Sequence, residues 1–129
     1  MSANTARASI AVRVGTDLCS VDTVAQSVDA FGDRYLDRVY TTRERAYADA
    51  AGDERRRFEH LAARFAAKEA VVKVLAPDDA RPEWRSIEVV RQPSGACGSE
   101  LTGEAARMAA ELGIEEFSVS HSHEADLAA

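Results

Sequence analysis

Two periods alternate along the chain. From Ser9 to Gly15, Ile10, Val12 and Val14 alternate with Ala11 and Arg13, the two-residue repeat of a half-buried strand. That strand runs into Gly15-Thr16-Asp17 and leaves Asp17 at its end. Val21, Val24, Ala25 and Val28 then recur at helical spacing, with Ser20 placed to cap the helix. Gly32 interrupts, and a short turn or helix is expected from Tyr35 to Val39. Thr41 and Glu44 have the spacing of a capping box, so a helix should start there and end near Gly52. Asp53 can cap the next helix, which should run to about Leu75 before Pro77 stops it.

Beyond a loop over 76–84, SIEVVRQ (86–92) reads as a strand. Pro93, Gly95 and Gly98 then make a turn, and a strand weakened by Gly98 and Ser99 leads to Leu101. Thr102 should cap a helix that ends before Gly113. Phe117, Val119 and His121 alternate with Ser118 and Ser120 in a last strand. Strands and helices are partly segregated in this order, which implies an α+β fold rather than a doubly wound sheet. No internal repeat is present, and 129 residues suit a single domain over 1–129 with a polar, disordered stretch over 1–8.

Composition narrows the function. A net charge of −6 argues against nucleic acid as the main partner, because phosphate contacts need a basic face. No apolar run approaches the roughly 20 residues that span a bilayer, and the N-terminus lacks the apolar core of a secretory signal, so the expected location is the cytoplasm. Cys19 and Cys97 are far apart and read as thiols rather than a disulfide. The positive charge is uneven: Arg55, Arg56 and Arg57 stand together, followed by Arg64, Lys68 and Lys73. Such a run is either a solvated helix face or a pocket for a small polyanion.

The stretch RFAAKEAVVKVL (64–75) sharpens that choice. On a helical wheel, Phe58, Ala62, Phe65, Ala66, Val72, Lys73 and Ala76 fall within about 60° of Glu69. An exposed Glu–Lys pair one turn apart stabilises a helix by only a few tenths of a kcal/mol and needs no apolar neighbours. Between two phenylalanines, this face is expected to be buried. There a carboxylate costs several kcal/mol unless it is paired, hydrogen-bonded or bound to a metal. Asp17, at a strand end, is either a turn residue or a second such carboxylate. Two acids with a lysine one turn on suit Mg²⁺ held against a phosphate. His121, on the apolar side of its strand, is either a core histidine or part of that site.

The segments VGTDLCSV (14–21), RFAAKEAVVKVL (64–75), W-x-x-IEV (84–89), LTG (101–103) and FSVSHS (117–122) occur in an order and spacing that resembles the holo-acyl-carrier-protein synthases. These are the small 4′-phosphopantetheinyl transferases. RFAAKEA-x-x-K together with SVSH is the specific part of the likeness, which extends from about Ile10 to Ala129. The resemblance implies a small antiparallel sheet packed against a long helix. It implies Mg²⁺-dependent transfer of 4′-phosphopantetheine from coenzyme A to a serine of an apo acyl carrier protein, releasing 3′,5′-ADP. By the same resemblance Asp17 and Glu69 are metal ligands, and Lys73 neutralises or protonates the leaving phosphate. Arg55, Arg56, Arg64 and His121 grip the 3′-phosphate and diphosphate, and Arg34 and Arg38 meet the carrier. Glu69 or a metal-bound water takes the serine proton. The small members form homotrimers with active sites between subunits.

Departures from the family pattern qualify the partner. The first helix, VDTVAQSVDAF, has no basic residue and carries Asp22 and Asp29, where relatives place basic residues toward an acidic carrier. The carrier can therefore belong to a fatty-acid or a polyketide system. Cys97 stands where relatives usually have proline, and the sequence ends at LAA where relatives continue as a returning strand. The competing reading is a binding module that holds coenzyme A or a carrier protein without turnover.

Overall fold

The computed structural model describes residues 18–76, 80–91, 93–94 and 97–115, with the backbone of 118–119, 123–124 and 127–128. The strand expected at 9–15, Asp17, and the Phe117 and His121 ends of the last strand lie outside the described residues. A short strand β1 (Cys19–Ser20) leads into helix α1 (Val21–Phe31). Three more helices follow: α2 (Asp33–Val39), α3 (Thr42–Asp49) and the 22-residue α4 (Glu54–Leu75). A single 3₁₀ turn, Trp84–Ser86, precedes β2 (Ile87–Arg91) and β3 (Cys97–Leu101). Helix α5 (Gly103–Leu112) and three two-residue strands complete the order: β4 (Ser118–Val119), β5 (His123–Glu124) and β6 (Leu127–Ala128).

The helix boundaries follow from local chemistry. The Ser20 hydroxyl accepts from the Thr23 N–H, and the Asp53 carboxylate accepts from the Arg56 N–H at 2.8 Å. At α3 both halves of the capping box form, from Glu44 N to Thr41 Oγ1 and from Thr41 N to Glu44 Oε1. Gly32 closes α1 and opens α2 at φ 56°, a value that disfavours any side chain. Gly113 ends α5 in the left-handed conformation. Thr102 occupies the cap position of α5, but its side chain makes no cap hydrogen bond.

Among the described residues the strands form two antiparallel three-stranded sheets, in the orders β1-β6-β5 and β2-β3-β4. Gly98 and Ser99 do not break β3, which pairs along its whole length with β2, from Ile87 opposite Leu101 to Arg91 opposite Cys97. The chain end forms the hairpin β5–β6, and β6 also pairs with β1. Leu127 and Ala128 of LAA thus pair as a strand on both sides. Cys19 and Cys97 are not joined by a disulfide.

Helix α4 is the axis of the molecule. Its N-terminal half joins Leu61, Ala62, Ala63 and Ala66 to Val21 and Val24 of α1, Leu36, Val39 and Tyr40. Its C-terminal half joins Val71, Val72 and Leu75 to Ile87 of β2 and Ala105 and Ala109 of α5. Trp84 borders both clusters and stacks obliquely on Phe65 at 5.2 Å. Each fully buried aliphatic side chain contributes about 1.5–3 kcal/mol. The alanines favour the helix and let its neighbours approach closely. Because α4 is buried on several sides it lacks a single polar face, which limits what a wheel can read from it.

Candidate functional site

Among the described residues, a fully buried ion pair has a member, Lys68, next to Glu69 in sequence. Lys68 Nζ lies 2.6 Å from Glu44 Oε1, and both side chains are 0% exposed. The ammonium also donates to the Val39 carbonyl at 2.7 Å and the Trp84 carbonyl at 3.1 Å, so all three of its donors are engaged. Glu44 Oε2 accepts from the Val89 N–H of β2 at 2.8 Å. One ion pair thereby ties together the end of α2, the start of α3, the middle of α4, the 3₁₀ turn and β2. Burial presses the Lys68 pKa below its ordinary value, and the Glu44 carboxylate opposes that shift. The next residue is Glu69, so fixing Lys68 fixes the rotation of α4 and the direction in which Glu69 points, about 100° away.

The face around Glu69 is less enclosed than the wheel implies. Ala62, Ala66, Val72 and Ala76 are buried, but Phe58 and Phe65 are only half-buried, and Lys73, one turn on, is exposed. Glu69 is half-buried, with its side chain 16% exposed, and Oε1 lies 3.6 Å from Arg81 Nη1. The expectation of a sealed Glu69–Lys73 face is therefore corrected to a partly open one. The charges of α4 that are withdrawn from water, Arg64 and Lys68, lie on other sides of that helix. An open face gives a ligand access to the carboxylate and the ammonium together.

The expected phosphate clamp does not assemble around Glu69 in one chain. Arg55 and Arg56 are exposed at the start of α4, and Arg55 approaches Glu59 at 3.8 Å. Thirteen residues of helix separate Arg56 from Glu69, a rise of about 20 Å. Arg64 points about 140° away from Glu69 and is 3% exposed, with its guanidinium 4.1 Å from the Tyr47 ring centre. Its Nε is buried with no hydrogen-bond partner. Burial lowers the Arg64 pKa, against the pull of Tyr47 and Glu44. Within a single protomer this burial keeps a phosphate from Arg64. Arg34 and Arg38 are exposed on α2, while Arg45 holds that helix's acids, Asp33 at 3.0 Å and Asp37 closer still. Asp17 and His121 lie outside the described residues, and among those described no three His, Cys, Asp or Glu side chains form a metal-binding group.

Glu69 suits a hard divalent cation. It is a carboxylate on rigid helix, partly open to solvent, and its ion-pair partner among the described residues is an exposed arginine beyond hydrogen-bond range. Mg²⁺ commonly binds through one or two carboxylates, with water and phosphate completing its shell, so a full protein cage is unnecessary.

Two groups of residues escaped sequence reasoning. Glu44 reads as a local capping residue, and nothing in its neighbourhood announces a partner 24 positions away. Arg81 sits in a stretch read only as loop, and Arg85 falls between that loop and the expected strand, yet with Asp37, Arg38, Pro82, Glu83 and Trp84 they line a cleft of about 520 Å³.

Comparison with known proteins sets this geometry in context. The sequence model of the family described as the 4′-phosphopantetheinyl transferase superfamily matches residues 13–128. The holo-[acyl-carrier-protein] synthase of Hyphomonas neptunium is 43% identical over 103 residues, 78% of this chain and 73% of the relative. That of Solibacter usitatus is 37% identical over 117 residues, 90% of this chain and 91% of the relative. Among solved structures, the ACPS–CoA complex named for Chronobacterium ammoniagenes superposes with a TM-score of 0.77 at 31% identity, covering 92% of each chain.

Proposed function

The chain belongs to the 4′-phosphopantetheinyl transferase superfamily, and from that premise we infer how its residues divide the work of the transfer it performs. In that reaction 4′-phosphopantetheine passes from coenzyme A to a serine of an apo acyl carrier protein. The observation that carries the assignment of roles is the pairing on one open face of α4 of the half-buried Glu69 with the exposed Lys73.

The serine hydroxyl gives up its proton to Glu69 or to water as its oxygen attacks the phosphorus nearer the pantetheine arm. The new Ser O–P bond forms as the bond to the bridging oxygen breaks, and 3′,5′-ADP leaves. Such transfers need little covalent help from protein; positioning and neutralisation of charge do most of the work. Asp17 and Glu69 would hold Mg²⁺, which when bound supplies positive charge to the diphosphate oxygens. Lys73, one helical turn from Glu69, places an ammonium beside the departing phosphate and neutralises or protonates it. His121, Arg55 and Arg56 grip the 3′-phosphate and diphosphate, and Arg34 and Arg38 meet the carrier.

A rise of about 20 Å between Arg56 and Glu69 favours a site shared between protomers of a homotrimer. In it the basic start of α4 in one chain serves the carboxylate of another. Arg64, buried against Tyr47 and turned away from Glu69, would join the grip only by leaving that packing. The test is to incubate the protein with coenzyme A, Mg²⁺ and a panel of apo carrier proteins and to weigh the carriers. One carrier should gain the mass of a single phosphopantetheine group, whereas binding with no mass gain on any carrier would support the non-catalytic binding module instead.

A further inference from the structure

We propose that Arg81 is a built-in competitor for the divalent cation at Glu69, holding the carboxylate until metal displaces it toward the adjoining cleft. This inference rests on the reading of Glu69 as a metal ligand. It concerns a residue to which the transfer itself gives no role.

Arg81 lies beyond the end of α4, in a segment without regular structure that leads to the 3₁₀ turn. That segment brings its Nη1 to 3.6 Å from Glu69 Oε1. The contact is an ion pair without a hydrogen bond, because the distance exceeds the usual N–H···O range. The two partners are unequally placed. The Glu69 side chain is 16% exposed on a rigid helix, whereas that of Arg81 is 55% exposed. The carboxylate is therefore the fixed member and the guanidinium the movable one. An ion pair so open to water contributes little, so a cation of higher charge can replace the arginine.

Geometry sets the two cations against each other. Mg²⁺ binds a carboxylate oxygen at about 2.0–2.1 Å. An ion on Oε1 would therefore lie within about 6 Å of Arg81 Nη1, and an ion on Oε2 within about 8 Å. At 6 Å, repulsion between charges of +2 and +1 weakens binding about tenfold even at the dielectric constant of water, and less as salt screens it. Withdrawal of the arginine relieves that repulsion but gives up its attraction to Glu69. Either way, Arg81 raises the metal concentration needed to fill the site. The displaced side chain has a place to go. Arg81 also lines the cleft of about 520 Å³ together with Glu83, an exposed acid toward which the guanidinium can turn. Asp37, the other acid of that lining, is already held by Arg45.

The test is calorimetric titration of Mn²⁺ into the protein, alone and with coenzyme A bound, in the absence of any carrier. Arg81→Gln should bind Mn²⁺ about three- to tenfold more tightly than the unaltered protein. Arg81→Lys, which keeps the charge, should stay near the unaltered value. The gain should shrink as salt is raised, and the Mg²⁺ concentration that half-saturates transfer should fall in parallel. Both substitutions alter an exposed side chain, and thermal melting checks that the variants remain folded. An Mn²⁺ affinity unchanged or weakened in folded Arg81→Gln would overturn the proposal. So would a raised KM for coenzyme A with no change in Mn²⁺ affinity, which would make Arg81 a cofactor contact. Equal Mn²⁺ affinity in Glu69→Gln and the unaltered protein would instead refute the placement of metal at Glu69, a result distinguishable from either.

Discussion

Replacing Lys68 by methionine isolates the central ion pair. Methionine keeps the volume and the unbranched stem but removes the charge and three donors, leaving Glu44 as a buried carboxylate. Two backbone N–H groups, from Thr41 and Val89, still reach it at 2.8 Å each, so the side chain stays in place without its counter-charge. The Val39 and Trp84 carbonyls also lose a donor. Breaking a buried pair from one side costs about 3–5 kcal/mol, mostly because the remaining charge is uncompensated. Unfolding entropy of about 2.1 cal/mol/K per residue gives about 0.27 kcal/mol/K for 129 residues, so Tm should fall by about 11–18 °C. Glu44→Gln should cost a comparable amount, because it strands the ammonium. The double variant removes both charges and should be less destabilised than the sum of the singles by about 2 kcal/mol or more. Urea denaturation of the four proteins, with unchanged m values, completes the cycle. A loss of less than about 1 kcal/mol in Lys68→Met, or a coupling near zero, would refute the claim that this pair holds five elements together.

Two further outcomes follow. Burial pushes the Tyr40 phenol well above its usual pKa, and burial raises Tyr35 as well. Their protonated forms therefore stabilise the fold fully below about pH 10, and that contribution is lost as pH rises toward the folded values. Lys68, shifted downward, acts in the opposite sense below about pH 10.4, so the tyrosines dominate above it. Tyr40→Phe, which removes a 2.9 Å hydrogen bond to the Leu61 carbonyl, should cost about 1 kcal/mol at neutral pH and flatten the alkaline decline. A decline as steep as in the unaltered protein, followed by urea titration from pH 10 to 12, would contradict the tyrosine assignment. Light scattering should return the mass of three chains; a monomer mass would remove the shared-site arrangement.

Much of the fold was legible because its boundaries are set locally. Ser20, Thr41 with Glu44, Asp53 and Gly113 act on residues within one turn, and each does in the structure what its spacing implies. What was not legible depends on distance in sequence. The Lys68–Glu44 pair, the N–H of Val89 that completes it, and the cleft joining Arg38 to Arg81 and Arg85 bring together residues that carry no local signal for one another. The wheel marked Glu69 and Lys73 as notable for a reason that holds only in part. It assumed one buried stripe, whereas α4 is packed on several sides and the Glu69 face is among the more open ones. For the same reason Arg64 and Lys68, which resemble solvated charges on the wheel, are interior groups.

The most direct test of the account is Glu69→Gln, assayed in single turnover on an apo carrier that the unaltered protein modifies. Circular dichroism and thermal melting are measured alongside it. Glutamine is nearly isosteric, and the side chain is partly open, so fold and Tm should change little. Losing a carboxylate that neutralises charge through a bound divalent cation should slow transfer by about a thousandfold, or about 4 kcal/mol. Calorimetry should show Mn²⁺ binding weakened in parallel. A folded Glu69→Gln protein that transfers phosphopantetheine at the original rate would contradict the placement of the reaction at Glu69.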